Sequence, residues 1–113
     1  MFKVFAYLTR RPGTTREEFI DYYENRHVPL VLSLASTPRV YKRNYVVSGD
    51  ATSPGSPGFD FDVVTEIIWD DRAGFEEWTG LSGVPAIAED EARFLDRSKT
   101  RAHVVDERTS AAG

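Results

Sequence analysis

His27 is the side chain best suited to proton transfer at neutral pH, because an ordinary imidazole titrates near pH 6.5. It lies in DYYENRHVPL, residues 21–30, the densest cluster of reactive side chains in the chain. Tyr23 precedes it by four residues and so shares its face of a helix. A plainer reading is open too, in which His27 finishes that helix and its charged form is favoured by the C-terminal end of the helix dipole. Glu66 sits between Thr65 and Ile67 in an apolar strand, where a carboxylate needs a partner. It can serve there as an acid or base, or pair with Arg43 or Lys42. Asn44 can orient a ligand carbonyl or satisfy backbone groups, and Tyr7 and Tyr23 offer phenol donors. Trp69 and Trp78 are core residues or line a cleft, and His103 is read as packing. Arg10-Arg11 and the acidic run Glu89-Asp90-Glu91 read as solvated surface.

Other chemistries lack their residues. The chain has no cysteine, which removes disulfides, thiolate nucleophiles and cysteine-ligated metals. Its two histidines have no ligand spacing for zinc, and no GxGxxG, Walker loop or GxSxG elbow is present. No metal and no cofactor is expected. A net charge of −4 argues against nucleic acid, since counterion release needs a basic surface. No apolar run approaches the length of a membrane span, and the N-terminal stretch alternates as a strand and lacks a signal-peptide cleavage site. A cytoplasmic protein is the expectation.

These side chains must be positioned by a small scaffold. The 113 residues, 41% hydrophobic and 28% charged, fit one globular domain over 1–108, followed by a frayed tail at 109–113. β-Formers over residues 2–9 stop at Arg-Arg-Pro-Gly. Thr15 and Glu18 form a capping box ahead of a helix running to about His27. Pro29 then predicts a kink near Val28 and an offset second helical piece. Residues 39–47 alternate as a strand, a Gly/Pro/Ser-rich loop follows, and residues 61–69 make a third strand. Asp70 or Asp71 caps a helix bearing Phe75, Trp78 and Thr79. Pro85 starts another, whose face carries Ile87 or Ala88, Glu91, Phe94 and Leu95, and residues 99–105 close as a strand. The order βαββαβ is that of a ferredoxin-like α+β sandwich, a four-stranded antiparallel sheet with helices on one face.

The third strand points Phe61, Val63, Ile67 and Trp69 one way and Val64 and Ile68 the other, so both faces are largely apolar. The first strand does the same with Phe2, Val4, Ala6 and Leu8 against Phe5 and Tyr7. Helices cover only one face of such a sheet, and a homodimer packed sheet to sheet is the simplest cover for the other.

The segments TRRPGTTREEF, DYYENRHVPLV, YKRNYV, DFDVVTEIIWDD and FEEW, within residues 2–107, together resemble the EthD-like proteins of the dimeric α/β-barrel superfamily. Tyr23, His27, Pro29 and Leu30 form the specific element, and Pro12-Gly13, Asn44 and Glu66 also fall where that family places such residues. The resemblance implies a ferredoxin-like monomer pairing through its sheet, and a cleft between helices and sheet with His27 inside. Relatives in the superfamily include cofactor-free monooxygenases, lactone isomerases, polyketide cyclases and decarboxylases, and fold does not settle reaction. The resulting expectation is a cofactor-independent enzyme acting on a small aromatic, lactone or polyketide-like metabolite. In that expectation His27 and Glu66 carry the acid/base chemistry, and Tyr7, Tyr23, Asn44 and Trp69 hold the substrate. A monooxygenase of the same fold and a non-catalytic binding protein are the alternatives.

Overall fold

Seven residues of alternating apolar character, Phe2–Leu8, form strand β1 and place Val4 and Leu8 in the core. The computed structural model describes residues 1–47 and 60–111. The Gly/Pro/Ser-rich loop expected after residue 47 therefore lies outside the described residues, as do the last two residues of the tail. Residues 109–111 have neither helix nor strand.

Helix α1, Arg16–Tyr22, starts on the expected capping box: Thr15 Oγ1 accepts from the Glu18 N–H and Glu18 Oε1 accepts from the Thr15 N–H, each at 3.1 Å. The kink expected near Val28 takes another form. The chain stays right-handed helical through a π-turn, Tyr23–His27, and into α2, Val28–Leu34. The Val28 N–H reaches the Tyr23 carbonyl, one residue further back than in an α-helix. Pro29 explains the wide turn, because it has no N–H and its ring crowds the carbonyl four residues earlier. One extra residue in the turn relieves that conflict without breaking the helix.

Strands β2, Val40–Tyr45, and β3, Val63–Trp69, follow, then α3, Arg72–Gly80, α4, Pro85–Phe94, and β4, Arg101–Val105. Asp71 is the residue that caps α3, accepting from the Gly74 N–H at 3.2 Å, while Asp70 receives Arg39 Nε at 2.7 Å. The sheet is antiparallel in the order β2-β3-β1-β4. This is the ferredoxin-like α+β arrangement.

Register fixes the two faces, since directly paired residues point the same way. Val4 pairs with Ile67, Ala6 with Thr65 and Leu8 with Val63, and these side chains meet the helices. Lys3 pairs with Ile68, Phe5 with Glu66 and Tyr7 with Val64, and these make the outer face. Behind the inner face the core gathers in three clusters, around Phe19, Tyr23, Val63 and Phe94, around Val4, Ile67 and Trp69, and around Val31, Leu81 and Ile87.

Gly74 lets α3 lie on β3. A Cβ there would stand 2.9 Å from Trp69 Cδ1, and Trp69 is 4% exposed, its ring held 5.4 Å from Phe75 and 5.7 Å from Trp78. Gly74→Ala is expected to lower stability by about 1–3 kcal/mol, as overpacking does, although Ala is the better helix former. Chemical denaturation checks the sign.

Candidate active site

The three core clusters leave a cavity of about 240 Å³ between helices and sheet, lined by His27, Tyr23, Tyr41, Thr65, Trp78 and Glu91 among others. His27 is 6% exposed, with Phe94 at 4.8 Å and Tyr23 at 5.6 Å between ring centres. It does not end a helix, because α2 continues beyond it. Its Nδ1 lies 2.8 Å from Asp90 Oδ2, and Tyr22 donates its hydroxyl to Asp90 Oδ1 at 2.6 Å. A carboxylate accepts, so Nδ1 carries the proton in neutral His27 and Nε2 holds the lone pair. Among the described residues Nε2 has no protein partner.

Glu89-Asp90-Glu91 is thus not wholly a solvated run. Asp90 is 8% exposed and Glu91 lines the cavity. Burial raises the pKa of the Glu91 carboxyl, and the charges of His27 and Arg97, whose Nε lies 3.5 Å away, offset that only in part. The signal for Asp90 was present in helical spacing: Ile87, Asp90 and Phe94 all face inward from α4.

A second polar tie joins the π-turn to the sheet. Arg43 grips Glu24 through Nε at 2.9 Å and Nη2 at 2.6 Å, and Tyr45 donates to the same carboxylate at 2.6 Å. The bonds from Arg43, more than those from Tyr45, hold the Glu24 pKa below its ordinary value despite partial burial.

The structure separates the other expected site residues. Glu66 points to the outer face, with Lys3 at 3.5 Å and Lys42 at 3.9 Å, so the sheet stands between it and His27. The pairing of His27 with Glu66 in one cleft is therefore overturned by strand parity, one residue being the difference between the faces. Tyr7 is on that outer face too, against Phe61 at 5.2 Å and His103 at 6.1 Å. Asn44, again outward, donates to the Val64 carbonyl at 3.1 Å, which is the backbone-satisfying alternative. Trp69 points inward but packs with Phe75 and Trp78, and Trp78 takes its place in the cavity lining. Only His27 and Tyr23 of the expected six meet at the cavity.

A wider groove of about 560 Å³ lies by Arg10, Arg11, Gly13 and Asp62, away from His27. No cluster of three or more His, Asp or Glu among the described residues is arranged to hold a metal ion. No helix among them is long and apolar enough to cross a membrane.

A ferredoxin-like sheet with a histidine cleft under its helices is the class that fold and site define. The EthD domain model matches residues 11–98, and the chain belongs to the EthD domain family. Solved structures agree in fold. An ethyl tert-butyl ether D (EthD) family protein from Bacillus halodurans is similar at 20% identity and TM-score 0.67, over 96% of this chain and 100% of that one. An EthD-like protein from Ralstonia eutropha is similar at 26% identity and TM-score 0.60, over 84% and 81%. A dimeric ferredoxin-like protein from an uncultured marine organism is similar at 21% identity and TM-score 0.52, over 96% and 100%. No curated protein matches the chain.

The raised pKa of Glu91 sets a sign. The folded state binds its proton more tightly than the unfolded state, so the Glu91 contribution to stability falls as pH rises from the ordinary value of 4.5 through the folded pKa. Glu91→Gln is expected to be more stable than wild type near neutral pH and to lose that advantage below pH 4.5. Urea titrations at the two pH values measure this, and a difference independent of pH would contradict it.

Proposed function

We propose that the protein is a cofactor-independent acid/base catalyst acting on a small, largely apolar molecule in the 240 Å³ cavity. The reaction is of the isomerase, cyclase, decarboxylase or lyase type. One observation carries the reading: His27 lines the cavity with Nδ1 held by buried Asp90 and, among the described residues, no protein partner at Nε2. An imidazole oriented in that way accepts a proton at Nε2, and the carboxylate stabilises the imidazolium that forms. Tyr22 holds the carboxylate in turn, so the base is supported by two helices. Glu91, on the cavity wall with its pKa raised by burial, is the second titrating group, in the place that Glu66 does not occupy.

The outer sheet face supports a second element of the proposal, that the working form is a homodimer. Phe5, Tyr7, Val64 and Ile68 are only partly buried there, and a similar structure is described as dimeric. A sheet-to-sheet contact that buries upward of about 1,000 Å² covers them.

Mass spectrometry of small molecules that copurify with the protein would identify the substrate. With it in hand, His27→Ala is expected to lower turnover by roughly 10²–10⁴ while the dimer persists, with a lower melting temperature because Asp90 loses one of its two partners. Asp90→Asn should also lose turnover, because a carboxamide N–H turned to Nδ1 moves the imidazole proton to Nε2. Unchanged turnover in His27→Ala, with only a lower melting temperature, would favour a binding protein instead. Wild type should elute at twice 12.7 kDa, and Val64→Lys should shift it to the monomer. A soluble wild-type monomer at micromolar concentration would refute the assembly.

A further inference from the structure

Three hydroxyls in the cavity play no part in the proton path. Tyr23 Oη lies 3.0 Å from Thr65 Oγ1 and 3.3 Å from Tyr41 Oη, and all three side chains line the cavity. Thr65 is 1% exposed and Tyr23 2%. Burial raises the pKa of both phenols, so they remain protonated donors near neutral pH. Each hydroxyl has one proton to give and lone pairs to receive. The two contacts use at most two of the three protons, whichever way the chain of bonds runs. At least one O–H is left with no protein acceptor among the described residues. Native proteins rarely leave a buried donor unpaired, and whichever of the three hydroxyls carries the free proton, its side chain lines the cavity.

We propose that the Tyr41–Tyr23–Thr65 hydroxyls are an oxygen-recognition subsite, and that the ligand is a compact, mostly apolar carbonyl compound whose C=O accepts the unpaired O–H. This rests on the acid/base reading above and gives it a substrate class. Arg43, paired with Glu24, lays its guanidinium carbon 4.8 Å from the centre of the Tyr41 ring and so helps hold that ring in place. A carbonyl held there has acidic C–H bonds beside it. When Nε2 of His27 takes such a proton, the C–H bond breaks and its electron pair moves through the new C=C bond onto the carbonyl oxygen. The enolate oxygen accepts a stronger hydrogen bond from the same hydroxyl than the ketone does. Returning the proton to a different carbon isomerises the ligand. Attack of the enolate on a second carbonyl, with the proton delivered to the new alkoxide, closes a ring. Both outcomes balance without an oxidant or reductant.

The probes are acetylnaphthalene and isopropenylnaphthalene, which share a shape and differ by oxygen against CH₂. Titrated into the wild-type protein and followed by NMR, the acetyl compound is expected to bind about tenfold more tightly, as one buried hydrogen bond allows. Its bound carbonyl stretch should move to lower frequency than in an apolar solvent. In Tyr23→Phe/Tyr41→Phe/Thr65→Val the preference should disappear, and the wild-type ratio and stretch stand as the test even where that variant does not fold. Equal affinities in wild type, or an unshifted stretch, would overturn the oxygen subsite and leave the His27 reading intact. Exchange of the acetyl methyl protons in heavy water separates the two ideas: a tenfold preference with exchange unchanged in His27→Ala supports the subsite and overturns the catalytic role. Binding of neither compound overturns both.

Discussion

A carboxylate buried between helices governs this structure. Asp90 on α4 accepts from Tyr22 on α1 and from His27 in the π-turn, so one charged group ties the first helical run to the last. Buried charge is costly to leave without partners, and both oxygens here are engaged. The contact therefore selects the helix packing in which His27 points between helices and sheet. Everything around the cavity follows from it: the orientation of the imidazole, the place of Phe94 against it, and the position of Glu91 one residue along α4.

The Glu24–Arg43–Tyr45 group does for the sheet what Asp90 does for the helices. It pins the π-turn to β2, and the pairing of β2 with β3 then sets Tyr41 and Thr65 beside Tyr23. The two polar anchors fix the helices and the sheet that enclose the cavity, with apolar packing between them. Apolar contacts alone have no direction, and the anchors supply it.

Much of this was legible in the chain. Thr15 and Glu18 announced the first helix because a capping box satisfies two backbone donors at fixed spacing, and alternation gave the strands their parity except at Phe61, which precedes β3 and lies against Tyr7 on the outer face instead of with Val63. The Tyr23–His27 pair was visible as well. Asp90 was not, because three adjacent acids read the same whether all are solvated or one turns inward. Only its spacing from Ile87 and Phe94 distinguishes it. Glu66 misled for the opposite reason. In a strand apolar on both faces, hydrophobicity does not say which face meets the helices, and a carboxylate among apolar neighbours looks buried on either. Lys3 and Lys42 are its partners, and Lys3 comes from a strand whose pairing becomes apparent only when the chain is folded.

The π-turn stores the geometry of the site in the length of the chain instead of in any one side chain. An α-helix turns about 100° per residue, so a wide turn between Tyr23 and His27 sets the angle between what α1 presents and what α2 presents. Substitutions in that stretch alter chemistry or packing at one point. Losing a single residue from it would rotate Phe19 and Val31 out of phase with each other, and no side-chain replacement elsewhere could restore both faces at once.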